Sequence, residues 1–584
     1  MEDIKICDPA IGSGAFPVGM LNEIVRARIA LVESGFLPEA KKRTNYEYKR
    51  QAIQNSIYGV DIESGAVEIA KLRLWLSLVV DEEDIENIKA LPNLDYKIVC
   101  GNSLLGVERN LFNDALFKQL EELKPQFFNE TRKSEKRRLK KQIDATIKEL
   151  TKDETFDFEI YFSEVFHEKG GFDVVIGNPP YGVSIKGDYR KAIEKTLGKV
   201  PDYEIYYYFI ELAYKLLKNN AILSYIIPNT WLFNTFAEKY RTNLLGLWHI
   251  KEILDCSQFE IFESATVRNT INLFQKGLIC DYIGYRNTKD VSSFNDLINK
   301  SILKMPIQAI NDMNQNWGLA FLLDSNVINT VTKINRFKNK LGDIWDLSQG
   351  YIPYRKSDLI KVYGEKKAED IVKKRLWHSN KKEDGTYIQE IFGRDLNKYK
   401  YNKQKSFVKY GKHLATYVDL KYFNQNRILV REITNPTIIA CLVSELMVND
   451  PQIITIINKD NNSDLRLLWG ILNSKMATFY HFNHSPKATK GAFPKILVKD
   501  LREFPIPKLD NRFTQAICDF TSKILNLSKT NDYDNNKEKQ QLVSEYEKQI
   551  DIMVYKLYDL TYQEVLIIDR NFELSEQDYN NFQI

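Results

Sequence analysis

The alternation of short apolar runs with helical segments constrains the fold of this 584-residue chain more than any other feature. Residues 172–176 form a short, β-branched run bounded by glycine, which is typical of a buried parallel strand. Comparable runs end at Asp8, at Asp61 and before Gly101, and a fifth covers residues 221–228. Strands that alternate with helices pair as parallel sheets with right-handed crossovers. We therefore expect an α/β fold.

Glycine and polar residues occupy the turns after these strands. The fourth strand is followed by Asn178, Pro179, Pro180 and Tyr181. The first is followed by Gly12 and Gly14, which let the backbone approach a ligand where a helix amino terminus favours a negative group. Pro17 stands where a dinucleotide fingerprint needs its third glycine, which disfavours NAD. Such turns lie at the carboxyl edge of a parallel sheet, where open α/β folds bind ligands.

Length and composition indicate a multidomain globular protein. The chain is too long for one core and predicts two to four domains. Its hydrophobic fraction of 43% and charged fraction of 27% are ordinary. The formal charge of +4 gives no overall basicity that would point to nucleic acid, so any nucleic-acid surface has to be local.

Cysteine and histidine usage gives no sign of a disulfide framework or a metal site. The six cysteines are scattered, which favours a reducing compartment. His481 and His484 form the nearest approach to a metal pair, but no Cys, Asp or Glu adjoins them, so we expect surface histidines and no metal. Because the sequence has no secretory h-region and no apolar run of about twenty residues, we expect a cytoplasmic protein.

Changes in pattern along the chain predict four regions. A charged stretch of helix formers separates the third and fourth strands, and both a solvated helical hairpin and a phosphate-gripping arm are open interpretations. After residue 276 the alternation fades, short β-like runs follow, and the chain ends in amphipathic helices. The predicted regions are a first domain at 1–290 with the charged insertion at 111–166, a connecting segment at 291–342, a second domain at 343–510 and a helical region at 511–584.

Four motifs resemble, in their order, those of a known enzyme family. "DPAIGSGAF", "GVDIE", "CGNSLL" and "VIGNPPYG" are similar to the successive motifs of gamma-class methyltransferases that transfer a methyl group from S-adenosylmethionine to the N6 amine of adenine in DNA. The whole chain resembles the methylase and specificity portion of type IIG restriction-modification enzymes, with a TaqI-like C-terminal specificity domain.

The resemblance carries implications for fold, cofactor and partner. It implies a Rossmann-like class I methyltransferase sheet with a helical insertion, followed by a mixed α+β target-recognition domain and C-terminal helices. It implies S-adenosylmethionine as cofactor and double-stranded DNA as partner.

The resemblance also assigns a cofactor site to residues of the first three motifs. They are Asp8, Pro9, Ala10, Gly12, Gly14, Phe16, Asp61, Ile62, Asn102 and Ser103. Residues of the first motif would line the methionine end, Asp61 would face the ribose and Asn102 the adenine of the cofactor. Many relatives carry Asp at this last position. The amide oxygen of Asn102 can still accept a hydrogen bond, so we expect a weaker contact rather than its loss.

The fourth motif would hold the target base. If the side-chain oxygen of Asn178 and the carbonyl of Pro179 accept the two N–H bonds of the adenine amine, the nitrogen lone pair points at the methyl donor, and in-line transfer needs no general base. Tyr181 would stack on the flipped-out base. Asparagine at position 178 favours adenine over cytosine, and Phe262 is the candidate for the far side of the base pocket.

Two loops are candidates for DNA contacts. "GYIPYRK" contains Tyr354 and Arg355, and "SPKATKGAFPK" contains Lys487, Lys490 and Lys495. Basic side chains in such loops can contact phosphates. Domain packing for the first loop and an ordinary solvated surface for the second are open interpretations.

The sequence also departs from the resemblance. We find no counterpart of the segment that normally precedes the first strand in this family. The family's nuclease motif is Pro-Asp followed later by an acidic residue, any residue and Lys, and only its Pro-Asp half is matched, around Asp202. We expect no DNA cleavage by this chain alone, and a partner chain that supplies a nuclease or completes the methylase is an open interpretation.

Three functions are compatible with the sequence. The first is an adenine-specific DNA methyltransferase of a restriction-modification or related phage-defence system. The second is a methyltransferase of protein glutamine or RNA. The third is a catalytically impaired DNA-binding specificity module that needs a partner chain.

Overall fold

The computed structural model describes most of the chain as two compact units, Met1–Asn314 and Gln315–Ile584. The described residues are 3–36, 43–82, 94–106, 114–130, 132–151, 156–201, 204–262, 267–313, 316–459, 463–485, 487–488, 493–509 and 512–583. No helix among them is long and apolar enough to cross a membrane.

A nine-stranded mixed sheet organises the first unit. Its strands are β1 (Ile6–Asp8), β2 (Ile57–Asp61), β3 (Ile98–Cys100), β4 (Phe172–Gly177), β5 (Leu217–Pro228), β6 (Trp248–Asp255), β7 (Asn269–Lys276), β8 (Tyr282–Arg286) and β9 (Leu303–Pro306). Their order is β3-β2-β1-β4-β5-β7-β6-β8-β9. The five predicted strands, β1 to β5, are confirmed and run parallel to their neighbours among them.

Beyond β5 the sheet is mixed. β7 runs antiparallel to both β5 and β6, and β9 runs antiparallel to β8. A parallel partner needs a crossover connection of a dozen or more residues, usually a helix. The described residues between β6 and β7 contain no helix, which is consistent with an antiparallel return.

Helices cover this sheet. They are α1 (Ala15–Glu33), α2 (Asn45–Asn55), α3 (Ser64–Val79), α4 (Asp114–Asn129), α5 (Lys133–Thr151), α6 (Phe158–Tyr161), α7 (Ser163–Lys169), α8 (Gly187–Leu197), α9 (Tyr206–Leu216), α10 (Glu238–Leu247), α11 (Phe294–Asn299) and α12 (Ile307–Asp312). Ile6, Ile57 and Ile98 of adjacent strands share one core with Leu21 of α1 and Leu74 of α3. The strand register places the ends of β1, β2 and β3 side by side, with Asp8 opposite Gly59 and Asp61 opposite Cys100.

The charged insertion is an amphipathic helical hairpin. Phe117 and Leu120 of α4 share a buried cluster with Leu139 and Ile143 of α5. The charged side chains therefore cover the outside of two packed helices, whose apolar residues form the inner face.

The second unit combines two small sheets with helices. Its strands are β10 (Trp345–Gln349), β11 (His378–Ser379), β12 (Tyr387–Ile391), β13 (Phe407–Lys409), β14 (Arg427–Arg431), β15 (Ala440–Val443), β16 (Val448–Asn449) and β17 (Ile453–Asn458). They form the sheets β10-β17-β14-β15 and β11-β13-β12-β16. The helices are α13 (Trp317–Ala320), α14 (Ser325–Asn335), α15 (Leu341–Ile344), α16 (Lys356–Tyr363), α17 (Glu365–Lys373), α18 (Leu465–Asn473), α19 (Lys475–His484), α20 (Val498–Arg502), α21 (Arg512–Ser528), α22 (Lys537–Leu557), α23 (Tyr562–Ile568) and α24 (Glu576–Asn580).

The two histidines of α19 are buried, so the expectation of surface histidines is wrong. His481 lies within hydrogen-bonding distance of the Thr434 and Ser485 hydroxyls, at 3.0 and 3.1 Å, and the His484 ring stacks on Tyr480. Burial lowers the pKa of both histidines to about 4, which keeps them neutral. The described residues contain no group of three or more His, Cys, Asp or Glu side chains that could hold a metal ion.

Candidate active site

A cavity of about 280 Å³ lies at the carboxyl ends of the parallel strands of the first unit. Eight of the residues singled out from the sequence line it: Pro9, Ala10, Asp61, Ile62, Asn102, Ser103, Asn178 and Pro180. They follow or end β1, β2, β3 and β4, so the parallel order of these strands brings four separate turns to one place.

Asp61 joins the turn after β1 to the end of β2. Its Oδ2 accepts a hydrogen bond from the Gly12 N–H at 2.8 Å, and its Oδ1 accepts one from the Glu63 N–H at 3.0 Å. Each carboxylate oxygen keeps a further lone pair, because a carboxylate offers about four acceptor positions. A side chain held in this way can present acceptors to a ligand hydroxyl at the cavity wall.

The glycine turn lies close to α3 and leads directly into α1. Gly12 and Gly14 have left-handed φ angles of 52° and 82°. A Cβ on Gly14 would lie 3.0 Å from the Cβ of Ala70, so there is no room for a side chain at this position. Gly14 caps α1 and has no side chain that could accept hydrogen bonds from the first turn. A helix terminus of this kind favours an anionic group.

Asp8 is buried beneath the end of β4. Its Oδ1 accepts a hydrogen bond from the Ala10 N–H at 3.0 Å, and a Cβ on Gly177 would lie only 2.6 Å from that oxygen. The other carboxyl oxygen is buried and has no hydrogen-bond partner among the described residues. Burial, opposed by the Ala10 N–H and assisted by the charge of Asp61, raises the pKa of Asp8 to about 7.

Asn178 carries the second unpartnered atom at this edge of the sheet. It follows β4 directly and lines the cavity. Its Oδ1 is buried and accepts no hydrogen bond from the described residues. A buried acceptor without a donor costs about 1–3 kcal/mol. A ligand with an N–H or O–H group would remove this cost.

Asn102 and Ser103 are hydrogen-bonded within the protein. Asn102 accepts from the Leu104 N–H at 3.1 Å and donates to the hydroxyl of Tyr189 at 2.9 Å. The Ser103 hydroxyl donates to the carbonyl of Pro9 at 2.6 Å. The Asn102 amide oxygen, which we expected to accept from an adenine, therefore already has one donor.

The sequence did not indicate three side chains that complete the cavity wall. Tyr189 comes from α8, and Ile205 and Phe209 come from the start of α9. Their signal in the sequence is weak, because aromatic and apolar residues in a helix after a strand are usually core residues. The α8 helix is the first helix after the Asn-Pro-Pro-Tyr turn and α9 is the next, and this position in the chain is the one signal that could have indicated them.

Several predicted residues do not line the cavity. Tyr181 is half-buried next to Gly182, whose N–H donates to the Glu204 carboxylate at 3.0 Å. Phe16 is half-buried in α1. Phe262 is half-buried and precedes residues 263–266, which lie outside the described residues, as Asp202 does.

In the second unit, the predicted aromatic loop is bonded to its own surroundings. The Tyr354 hydroxyl accepts from the Trp377 N–H at 3.0 Å and lies 2.7 Å from Nδ1 of His378. Arg355 is exposed and pairs with Asp358 at 3.0 Å. This loop therefore has the contacts of domain packing.

The predicted lysine loop is partly described. The Lys495 ammonium lies 3.1 Å from the Glu432 carboxylate, and the Lys495 N–H donates to the carbonyl of Lys487. Lys487 is exposed, and Lys490 lies outside the described residues.

Comparison with known proteins identifies both parts of the chain. Residues 55–262 match the Eco57I restriction-modification methylase family, and residues 388–506 match the TaqI-like C-terminal specificity domain. The protein named "Putative type II restriction enzyme and methyltransferase RM.MjaORFECS2P", from Methanocaldococcus jannaschii, is 26% identical over 88% of this chain and 49% of its own length. The type II restriction enzyme and methyltransferase RM.Eco57I of Escherichia coli is 23% identical over 58% of this chain and 31% of its own length. The chain thus spans half or less of the length of these relatives.

A solved structure has a similar fold. The type IIL restriction-modification enzyme MmeI, solved in complex with DNA, matches 100% of this chain and 74% of its own, with a TM-score of 0.56 and 14% identity. The chain carries an Eco57I-type restriction-modification methylase domain followed by a TaqI-like C-terminal specificity domain.

Proposed function

We propose that this chain transfers a methyl group from S-adenosylmethionine to the N6 amine of an adenine in double-stranded DNA, as part of a restriction-modification or related phage-defence system. The observation that carries the proposal is the buried, unpartnered Oδ1 of Asn178 at the cavity. An exocyclic amine offers the N–H donor that this oxygen lacks. The fold we propose for the first unit is the Rossmann-like class I methyltransferase fold, and we assign target recognition to the second unit.

The cavity has the chemical features that such a cofactor needs. S-adenosylmethionine, when bound, supplies an electrophilic methyl group on a sulfonium centre. Asp61 would accept hydrogen bonds from ribose hydroxyls, and the amino terminus of α1 after Gly14 would favour the carboxylate of the methionine moiety. Asp8 lies beneath this site, where its Oδ1 accepts the Ala10 N–H and holds the turn after β1. These features fit the cofactor, and none of them requires a metal.

The protein would activate the amine by accepting its protons in hydrogen bonds. In adenine the nitrogen lone pair is delocalised into the ring, which makes it a poor nucleophile. Acceptance of one N–H by Asn178 and of the other by the Pro179 carbonyl would draw the nitrogen toward tetrahedral geometry and direct the lone pair at the methyl group. Acceptors placed in advance for developing positive charge accelerate such a transfer.

The match to a specificity domain favours DNA over the alternative substrates. Reading a duplex requires an extended surface for base edges and phosphates, which a second unit of this size can provide. A methyltransferase of protein glutamine or RNA would leave the TaqI-like match unexplained. A catalytically impaired module is disfavoured because the cavity keeps the unpartnered Oδ1 of Asn178.

The test is transfer of radiolabelled methyl from S-adenosylmethionine to mixed duplex DNA, with total RNA as a second substrate. We expect label in DNA as N6-methyladenine. Asn178→Ala should lower the rate about 10²- to 10³-fold, in the range found for loss of one charge-stabilising group. Asn22→Ala, at an exposed position in α1, is the matched control and should keep full activity.

The other outcomes distinguish the alternatives. Label in RNA but not in DNA would support the second function. Cofactor binding by equilibrium dialysis without any transfer would contradict the proposed reaction and leave a binding role.

A further inference from the structure

The positive charge of the chain is concentrated in one short segment of the second unit. Residues 355–382 contain ten lysine and arginine residues and four acidic ones, a balance of +6. The whole chain carries only +4, so all other residues together sum to −2. The charged insertion at 111–166, for which phosphate binding was one open interpretation, has eleven basic and twelve acidic residues, a net charge of −1. Local basic surfaces, rather than net charge, attract nucleic acid.

The fold gives this segment a defined inner face. Two helices, α16 and α17, are joined at Gly364, which has a φ of 77°. Leu359 of α16 and Ala368 and Ile371 of α17 form a buried cluster, with Trp377 packed against it. The hairpin is therefore anchored to the unit by apolar contacts, and its polar side faces away from that cluster.

Lysines occupy the outer face of α17. Lys366, Lys367, Lys373 and Lys374 are all exposed. On a helix of 3.6 residues per turn, Lys366 and Lys373 lie opposite the buried Ala368 and Ile371, and Lys367 and Lys374 lie together on the flank next to Ile371. The rise between Lys366 and Lys373 is about 10 Å, which corresponds to about three base-pair steps of DNA.

Few carboxylates neutralise this face. Lys374 pairs with Asp370 at 3.4 Å, and both side chains are more than half exposed. Glu369, at the flank of the helix, pairs with Lys356 instead. Within the described part of the chain, no carboxylate forms an ion pair with Lys366, Lys367 or Lys373. Three ammonium groups on one helix face therefore keep their charge available to an external anion.

We propose that this outer face of α17, defined by Lys366, Lys367, Lys373 and Lys374, contacts the phosphates of duplex DNA. The inference rests on the proposed function, because it assumes that the chain acts on a DNA duplex. It adds a contact surface that lies outside the TaqI-like match at 388–506. Lysine contacts to phosphate carry no sequence information, so the surface would supply affinity and orientation, and base reading would occur elsewhere.

The experiment measures how DNA binding depends on salt. A variant with K366Q, K367Q, K373Q and K374Q keeps good helix formers at all four positions. Binding of the full chain to a fluorescent duplex is followed by anisotropy from 50 to 200 mM salt. Each phosphate contact contributes about 0.9 to the slope of log K against log salt. We expect the slope to fall by at least about 2, with kcat at saturating DNA unchanged.

The matched control removes the same charge from the other basic helix. Lys133, Arg137, Lys141 and Lys148 are exposed on one face of α5, and a variant with K133Q, R137Q, K141Q and K148Q also loses four positive charges. It should keep the wild-type slope, because the hairpin that carries it has almost no net charge.

The outcomes separate the two proposals. An unchanged slope in the α17 variant would overturn the inference, because it would mean that these lysines contact no phosphate. An equal fall in both variants would also overturn it, because it would show a general effect of the lost charge. A smaller salt slope in the α5 variant alone would contradict the inference and indicate that the phosphate contact lies on the insertion. Methyl transfer to DNA by the wild-type chain with an unchanged α17 slope would refute only this inference, whereas absence of transfer by the wild-type chain would refute the proposed function.

Discussion

The two units use the polar residues that the sequence singled out in opposite ways. At the sheet edge of the first unit, Asp8 and Asn178 each keep a buried oxygen without a partner among the described residues. In the second unit, Tyr354 and Lys495 are engaged by the protein itself, through Trp377 and Glu432 respectively. A buried polar atom without a partner is costly, so its retention points to a ligand, whereas the bonds of Tyr354 and Lys495 are accounted for by the fold.

Among substitutions outside the cavity lining, the largest expected effect is that of Gly177→Ala. The added Cβ would lie 2.6 Å from Oδ1 of Asp8, so the carboxyl group or β4 has to move. Overpacking of this kind costs about 1–3 kcal/mol of stability. Displacement of the neighbouring Asn178 by about 1 Å should lower methyl transfer about 100-fold. Thermal unfolding and the transfer assay measure the two effects.

Gly65→Ala is the control for this substitution. Gly65 lies in α3, and a Cβ there would meet no atom within 4 Å. Alanine is the better helix former, so stability should be unchanged or slightly higher. Full activity of Gly177→Ala would show that the space beneath β4 is not needed, and the contrast between the two units would lose its main support.

Asp8 should make the stability of the first unit depend on pH. Its pKa in the folded chain is about 7, against 3.8 for the ordinary group. Between these pH values the folded chain holds a proton that the unfolded chain has lost, so stability falls as pH rises from about 4 to 7. The slope reaches about 1.4 kcal/mol per pH unit at most.

Asp8→Asn cannot ionise and should lose this dependence. The urea midpoints of the variant and the wild type are measured between pH 5 and pH 8. The difference between them, variant minus wild type, should rise up to about pH 7 and then level off. Asp188→Asn, at a fully exposed position on α8, should follow the wild-type curve. Parallel curves for Asp8→Asn and the wild type would mean that the carboxyl group is not held in a protonated form.

The sequence predicts the first unit better than the second for a physical reason. Strand, turn and helix are encoded within a few neighbouring residues, so β4 and the turn at Asn178 could be located without any structure. Tyr189 and Phe209 reach the cavity from helices whose direction depends on packing over the whole sheet. His481 was misassigned for the same reason, because its burial depends on Thr434, 47 residues earlier in the chain.

Tyr354→Phe tests whether the aromatic loop is structural. The substitution removes a hydroxyl that accepts from Trp377 and bonds to His378, and burial raises the pKa of this tyrosine to about 12. We expect a loss of about 1–3 kcal/mol in the stability of the second unit. The salt slope of DNA binding should not change. Tyr417→Phe, at a residue that is 40% exposed, is the control and should leave stability unchanged.

The smallest effects are expected from the two described lysines of the second loop. Lys487 is exposed, whereas the charge of Lys495 is offset by Glu432 at 3.1 Å. If the loop meets a phosphate, Lys487→Gln should lower the slope of log K against log salt by about 0.9. Lys495→Gln should lower it by clearly less, because the ammonium group of Lys495 is already paired with Glu432 and releases fewer counterions from the duplex. An exposed ion pair contributes about 0–1 kcal/mol, so neither change should unfold the unit. Equal slopes for both variants and the wild type would assign this loop to the solvated surface and leave α17 as the phosphate contact of the second unit.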